Sequence, residues 1–242
     1  LEWFALAVFG VAVIAGGSAS VVGFGLGSIL TPVLALRLGA EVAIPAVAIP
    51  HVVATGVRLW RLRSEVNRRQ VIRFGILSAL GGLLGALAYT RLRGPALAVS
   101  LGALLLATAA ARATGWANRW SPTVGLSWLL GGLSGFFGGV AGNQGGLRAA
   151  ALSVFRLNPV ELVATSTAIA LMVDLGRTPV YLARAGERLS EIHIIVLTAV
   201  AGAVAGTLLG ERVLVSLPRD RFRAVMSVAV GALGVWLIVR HG

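Results

Sequence analysis

Long apolar runs separated by short arginine-bearing connections fill this 242-residue chain. The first set of runs covers Trp3 to Leu36, Val42 to Trp60, Val71 to Leu92 and Ala96 to Ala111. The second covers Val124 to Phe155, Val160 to Ala183, Ile192 to Gly210 and Phe222 to Val239. Each approaches or exceeds the roughly 20 residues that a helix needs to cross a bilayer. Backbone polar groups in lipid must be satisfied within helices or a closed barrel. Barrel strands alternate polar and apolar residues, and runs such as Ile76 to Ala88 and Ala96 to Ala111 do not alternate. The pattern predicts an all-α, polytopic membrane protein of about eight transmembrane segments.

The two sets read as copies. A shift of 119 positions lays Gly16 on Gly135, Gly23 on Gly142, Gly27 on Gly146, Arg37 on Arg156 and Arg58 on Arg177. The shift drifts to 121 at Gly81 and Gly202, and to 129 at Gly102 and Gly231, as small loop insertions produce. Two repeats of four segments follow, residues 1–115 and 116–242, forming one integral membrane domain. The first segment of each half, about 33 residues long, exceeds a single span. Each carries a glycine-rich break, Gly23-Phe24-Gly25-Leu26-Gly27-Ser28-Ile29-Leu30-Thr31-Pro32 in one half and Gly142-Asn143-Gln144-Gly145-Gly146-Leu147-Arg148 in the other. The first helices are therefore expected to be broken or re-entrant, and the repeats can be parallel or inverted.

Composition agrees. Hydrophobic residues make up 57% of the chain and charged residues 12%. The net charge of +12 does not point to nucleic acid, because the arginines sit between apolar segments, as cytoplasmic loops require. All 21 basic residues are arginine, and cysteine is absent, so lysine nucleophiles, disulfides and thiolate metal sites are excluded. The apolar opening from Trp3 lacks a basic leader and reads as the first membrane helix. Arg61, Arg63, Arg68, Arg69 and Arg73 mark a cytoplasmic connection, and eight single crossings then put both termini in the cytoplasm.

Paired, interrupted apolar segments at matching places in two halves point to a transport site. A glycine break frees backbone N–H groups, and a following helix start favours a small anion. Gly25, Gly27, Ser28 and Thr31 would line one half of such a site. Asn143, Gln144, Gly145, Gly146 and Arg148 would line the other, with amide donors and a guanidinium suited to oxyanions. Close helix packing is the alternative use of glycine, as expected for Gly81-xxx-Gly85 and Gly202-xxx-Gly206. Thr165, Ser166 and Thr167 form a hydroxyl cluster opposite the second break, which makes Thr165 and Ser166 candidates to bind the same anion, although mid-helix hydroxyls commonly bond their own backbone instead. His51, after Pro50, and Asp174 are candidates for proton handling. Asp174 and Arg177, three apart on a helix, can equally neutralise each other, and His51 can equally be hydrogen-bonded in the bundle. No enzyme constellation, metal-spaced histidine set or phosphate loop occurs, so no catalytic residue, metal ligand or cofactor is expected.

On these residues the chain resembles the TauE/SafE family, sulfite exporters and toluene-sulfonate permeases. The resemblance rests on the Gly23–Leu34 stretch, Gly135-Phe136, the Gly142–Gly146 cluster and Ala164-Thr165-Ser166, and it spans essentially the whole chain. Departures are Asn143, Gln144 and Arg148 within the second cluster, Ala151 where the family commonly has proline, and Ala46-Val47 at the first-half Thr-Ser position. The resemblance implies a carrier of sulfite or an organosulfonate, in the export direction first, in the bacterial cytoplasmic (inner) membrane and without ATP of its own. Its expected partners are the small anion and the lipid bilayer, with no nucleic acid; oligomeric state stays open. A passive anion channel, or a non-transporting membrane component of a sulfur-metabolism complex, would carry the same features.

Overall fold

The apolar runs form helices throughout the described part of the computed structural model, residues 2–22, 25–92, 94–114, 123–142, 145–214 and 219–241. Ten α-helices are seen there: α1 (Glu2–Val22), α2 (Leu26–Leu38), α3 (Ala40–Leu62), α4 (Arg68–Arg91), α5 (Gly94–Ala113), α6 (Val124–Ala141), α7 (Gly145–Leu152), α8 (Pro159–Glu191), α9 (His193–Leu214) and α10 (Arg219–His241). Short 3-10 turns extend α3 and α7, and no strand occurs among the described residues. Seven helices, α1, α3, α4, α5, α6, α8 and α9, are long and apolar enough to cross a membrane. The outside of the bundle is apolar, with Leu77, Leu80, Leu84 and Leu87 exposed on α4 and Ile194 and Leu197 on α9. Serines, threonines, arginines and an aspartate are buried within a largely aliphatic core. An apolar exterior with charged groups kept inside suits a protein solvated by lipid.

Local chemistry sets the helix ends. Asn67, Thr123 and Asn158 cap α4, α6 and α8, each side chain accepting a bond from a first-turn backbone N–H. The two expected breaks are present, so the long first segment of each half is two helices. Gly142 ends α6 in the left-handed conformation at φ 72°, its N–H returning to the Gly138 carbonyl. Gly25 opens α2 at φ 136°. Residues with a Cβ rarely adopt either value, which is the physical need for glycine here.

Contacts fix the directions of the helices. α2 folds back along α1: Gly25 lies against Ser18, and the Arg37 guanidinium sits over the Trp3 and Phe4 rings at 5.1 and 4.7 Å. The start of α3 meets the end of α4 through Tyr89 OH donating to the Glu41 carbonyl (2.5 Å). It meets the start of α5 through Gly94 N–H donating to Glu41 Oε1 (2.6 Å), and the end of α8 through Arg188 and Glu41 (3.4 Å). At the opposite end of the bundle, Asn67 N–H donates to Thr165 Oγ1 (3.0 Å) and its side chain to Glu161 (2.8 Å), at the start of α8. α4 and α6 run parallel, since Ser78 Oγ donates to the Gly131 carbonyl while Gly85 abuts Phe136. α7 folds back along α6, with Ser127 Oγ donating to the Ala151 carbonyl (2.6 Å). α1 and α9 are parallel, pairing Phe9 with Gly202, Val13 with Gly206 and Gly17 with Gly210. α5 and α10 are antiparallel, with Gly102 beside Ile238 and Gly231 beside Ala109.

Two helical hairpins, α1–α2 and α6–α7, therefore enter from opposite ends. The expectation that both termini share a side with Arg61–Arg73 rested on eight single crossings, and the hairpins remove that premise. Glu2 and His241 lie at the Glu41 end, and the arginine-rich connection lies at the Asn67 end. The Gly-xxx-Gly pairs serve close packing as expected, since a Cβ on Gly81, Gly85, Gly202 or Gly206 would run into a backbone carbonyl of the facing helix.

Candidate functional site

α3 and α8 cross the interior side by side and antiparallel. His51, Thr55 and Arg58 share a face of α3 at helical spacing. Thr167, Asp174, Arg177 and Tyr181 do the same on α8. Among the described residues the buried formal charges are Arg58 (4% exposed), Arg148 (2%), Asp174 (0%) and Arg177 (1%). Such burial in a membrane is costly without a partner or a ligand, about 2.5–3.5 kcal/mol per central arginine on insertion scales.

Asp174 is fully engaged. Arg177 Nε and Nη2 both reach Asp174 Oδ1, at 3.0 and 2.8 Å, and His51 Nδ1 donates to Oδ2 at 2.6 Å. Thr55 Oγ1 lies 3.3 Å from the same imidazole nitrogen. Arg177 Nη1 also donates to the Gly138 carbonyl, and Tyr181 OH to Gly139, so the end of α6 is tied to α8 just before its break. Both sequence alternatives for Asp174 concern this cluster, and the pairing with Arg177 is present. The hydrogen-bonded His51 is present too. His51 remains partly exposed (12%) while its partner is not exposed at all.

The other two arginines rest on neutral groups. Arg58 Nε donates to Thr167 Oγ1 (2.9 Å), and that hydroxyl donates to the Val163 carbonyl (2.6 Å). Arg148, on α7, gives Nη1 to the Ser166 carbonyl (3.1 Å). Its Nε and Nη2 are buried without a hydrogen-bond partner among the described residues. These are the two atoms with which Arg177 grips its carboxylate, so Arg148 presents the same fork to the interior. Arg58, Arg148 and Arg177 all lie within electrostatic reach of Asp174. Buried Thr31 Oγ1 also lacks a partner; a Cβ on Gly142 would sit 3.3 Å from it and 4.0 Å from Arg177 Nη1. The tip of one hairpin thus touches α2 of the other.

The remaining predicted residues take different places. Gly25, Gly27 and Ser28 are buried at the start of α2, where Gly25 provides no side-chain cap. Gly145 is buried at the start of α7, and Gly146 belongs to the same helix. Ser166 meets Arg148 through its carbonyl, whereas the Thr165 hydroxyl holds the α3–α4 connection. Asn143 and Gln144 lie outside the described residues. Arg58, Thr55 and Tyr181 were not singled out as site residues from sequence; the spacing of Thr55 and Arg58 from His51, four and seven, was the signal that could have found them. No group of three or more His, Asp or Glu side chains that could hold a metal occurs among the described residues.

The family model described as sulfite exporter TauE/SafE matches residues 8–237. The chain belongs to the TauE/SafE family. No curated protein and no solved structure matches it. TauE/SafE proteins are membrane transporters, and the seven apolar helices agree with that class.

Proposed function

We propose that this TauE/SafE protein is a secondary carrier that exports a small sulfur oxyanion, sulfite or an organosulfonate, through a central site between the two hairpins. The observation that carries the reading is the buried Arg148 fork, with Nε and Nη2 lacking a hydrogen-bond partner among the described residues. Two parallel N–H groups match two oxygens of one oxyanion. Thr31 and the uncapped start of α2 supply donors from the opposite hairpin. His51, partly exposed and bonded to buried Asp174, is a route by which a proton reaches the site.

The opposed directions of the hairpins support reading the halves, 1–115 and 116–242, as inverted-topology repeats. Carriers of that kind expose a fixed site alternately to the two sides. With the arginine-rich Asn67 end in the cytoplasm, Glu2 and His241 face the other side of the cytoplasmic membrane.

The test is counterflow of radiolabelled sulfite in proteoliposomes. Wild type is expected to show saturable counterflow. Arg148→Lys, which keeps the charge but loses the fork, is expected to weaken sulfite affinity about tenfold or more. Wild-type affinity in Arg148→Ala overturns the site, and unsaturating conductance in place of counterflow overturns the carrier in favour of a channel.

A further inference from the structure

The charge count of the interior is unequal. Among the described residues three guanidinium groups and one carboxylate are buried, leaving two positive charges uncompensated when His51 is neutral. Asp174 is consumed by Arg177 through two contacts, so that pair is neutral as a unit. The excess therefore resides on Arg58 and Arg148.

Those two arginines are each held by one of two consecutive residues of α8. Arg148 is held by the Ser166 carbonyl and Arg58 by the Thr167 hydroxyl. Both acceptors are uncharged, so each guanidinium is oriented without being neutralised. Arg148 lies within electrostatic reach of Arg58 as well as of Asp174, whose single charge Arg177 already engages. Like charges repel strongly where water is scarce, and desolvation makes each more costly still. Two guanidinium groups oriented by neutral acceptors, with no carboxylate of their own among the described residues, are completed by an anion that brings both counter-charges.

We infer that the site is matched to a doubly charged oxyanion, and that it selects dianions over monoanions of the same size and shape. This rests on the proposal that Arg148 is an anion ligand, and narrows its substrate class. A dianion such as sulfite in its fully deprotonated form, sulfate or thiosulfate cancels the excess. A monoanionic sulfonate, or hydrogen sulfite, leaves one buried guanidinium charge unpaired, which is the more costly state. The proposed substrates include both sulfite and organosulfonates, and the charge count among the described residues distinguishes between them.

Sulfate and methanesulfonate make the comparison clean, because they are tetrahedral sulfur anions of similar size that differ by one charge. Thiosulfate serves as a second dianion. Each is added as a competitor to radiolabelled sulfite counterflow by the full chain in proteoliposomes at fixed pH. At least one of the two dianions is expected to compete about tenfold or more strongly than methanesulfonate. In Arg58→Gln, with one excess charge left, that ratio is expected to fall towards one. Equal or stronger competition by methanesulfonate in the wild type overturns the inference while sulfite transport stands. An unchanged ratio in a folded Arg58→Gln protein overturns it as well. Absence of any sulfite counterflow overturns the carrier reading beneath it. If Arg58→Gln fails to fold, the wild-type ratio alone still decides.

Discussion

Asp174→Asn removes one charge and almost no volume, which isolates the electrostatic role of the buried carboxylate. The asparagine oxygen can still accept from His51, now bonded at 2.6 Å, but it no longer balances Arg177. The count of buried charges among the described residues goes from two in excess to three. Breaking a buried pair on one side costs about 3–5 kcal/mol, because the survivor keeps its desolvation penalty. That is a large part of a typical folding stability of about 5–15 kcal/mol. For a chain of this length it corresponds to a fall in melting temperature of about 6–20 °C. Thermal unfolding of the purified protein in detergent, followed by size-exclusion fluorescence, reads the shift directly. Asp174→Asn/Arg177→Met restores the original count and is expected to regain more than half of the loss. If the single variant melts with wild type, or the double variant melts no higher than the single, Asp174 does not balance Arg177 in the interior.

Gly85→Ala and Gly139→Ala drive a methyl into the backbone of the facing helix and are expected to destabilise by about 1–3 kcal/mol, whereas Gly125→Ala, with no atom within 4 Å, is expected to be neutral or slightly stabilising; melting temperatures compare them. The cysteine-free chain permits single-cysteine labelling in oriented vesicles. Ser64→Cys near the Asn67 end and Glu187→Cys near the Glu41 end, both exposed, are expected to react from opposite sides of the membrane, and reaction of both from one side contradicts the helix directions. His51→Ala is expected to remove the response of sulfite flux to an imposed pH gradient while leaving counterflow measurable; a gradient response that persists in it and in Asp174→Asn takes the proton away from this pair.

Much of the architecture was written in local pattern, and what was not depended on contacts between distant segments. The helices, the breaks at Gly23–Gly25 and Gly142–Gly145, and the Asp174–Arg177 pairing follow from runs, glycines and spacing. The return of α2 to the start of α1 does not, because it is expressed only where Arg37 meets Trp3 and Phe4. Arg58 entered the sequence reading only as the repeat counterpart of Arg177, inside the Val42 to Trp60 run, and nothing local announces its contact with Thr167 on a distant helix. Thr165 was misleading in the other direction. Its position beside Ser166 suggested the anion site, yet one residue turns a helix by about 100 degrees, and that rotation hands its hydroxyl to Asn67 instead.

The pairing of α1 with α9 also sets a schedule for biogenesis. α1 presents Gly16 and Gly17 to a helix that begins at His193, so this partner is made about three quarters of the chain later. At about 5–20 residues per second, the wait is roughly 10 to 40 seconds. During that interval the small-residue face of α1 and the turn into α2 must rest against lipid, an insertase or temporary neighbours. Such long-range closure slows assembly, and α4 meets α6 far sooner. The second hairpin can therefore seat itself while the first still waits, so a truncation that removes α9 should strand the N-terminal hairpin even though every residue of that hairpin has been synthesised.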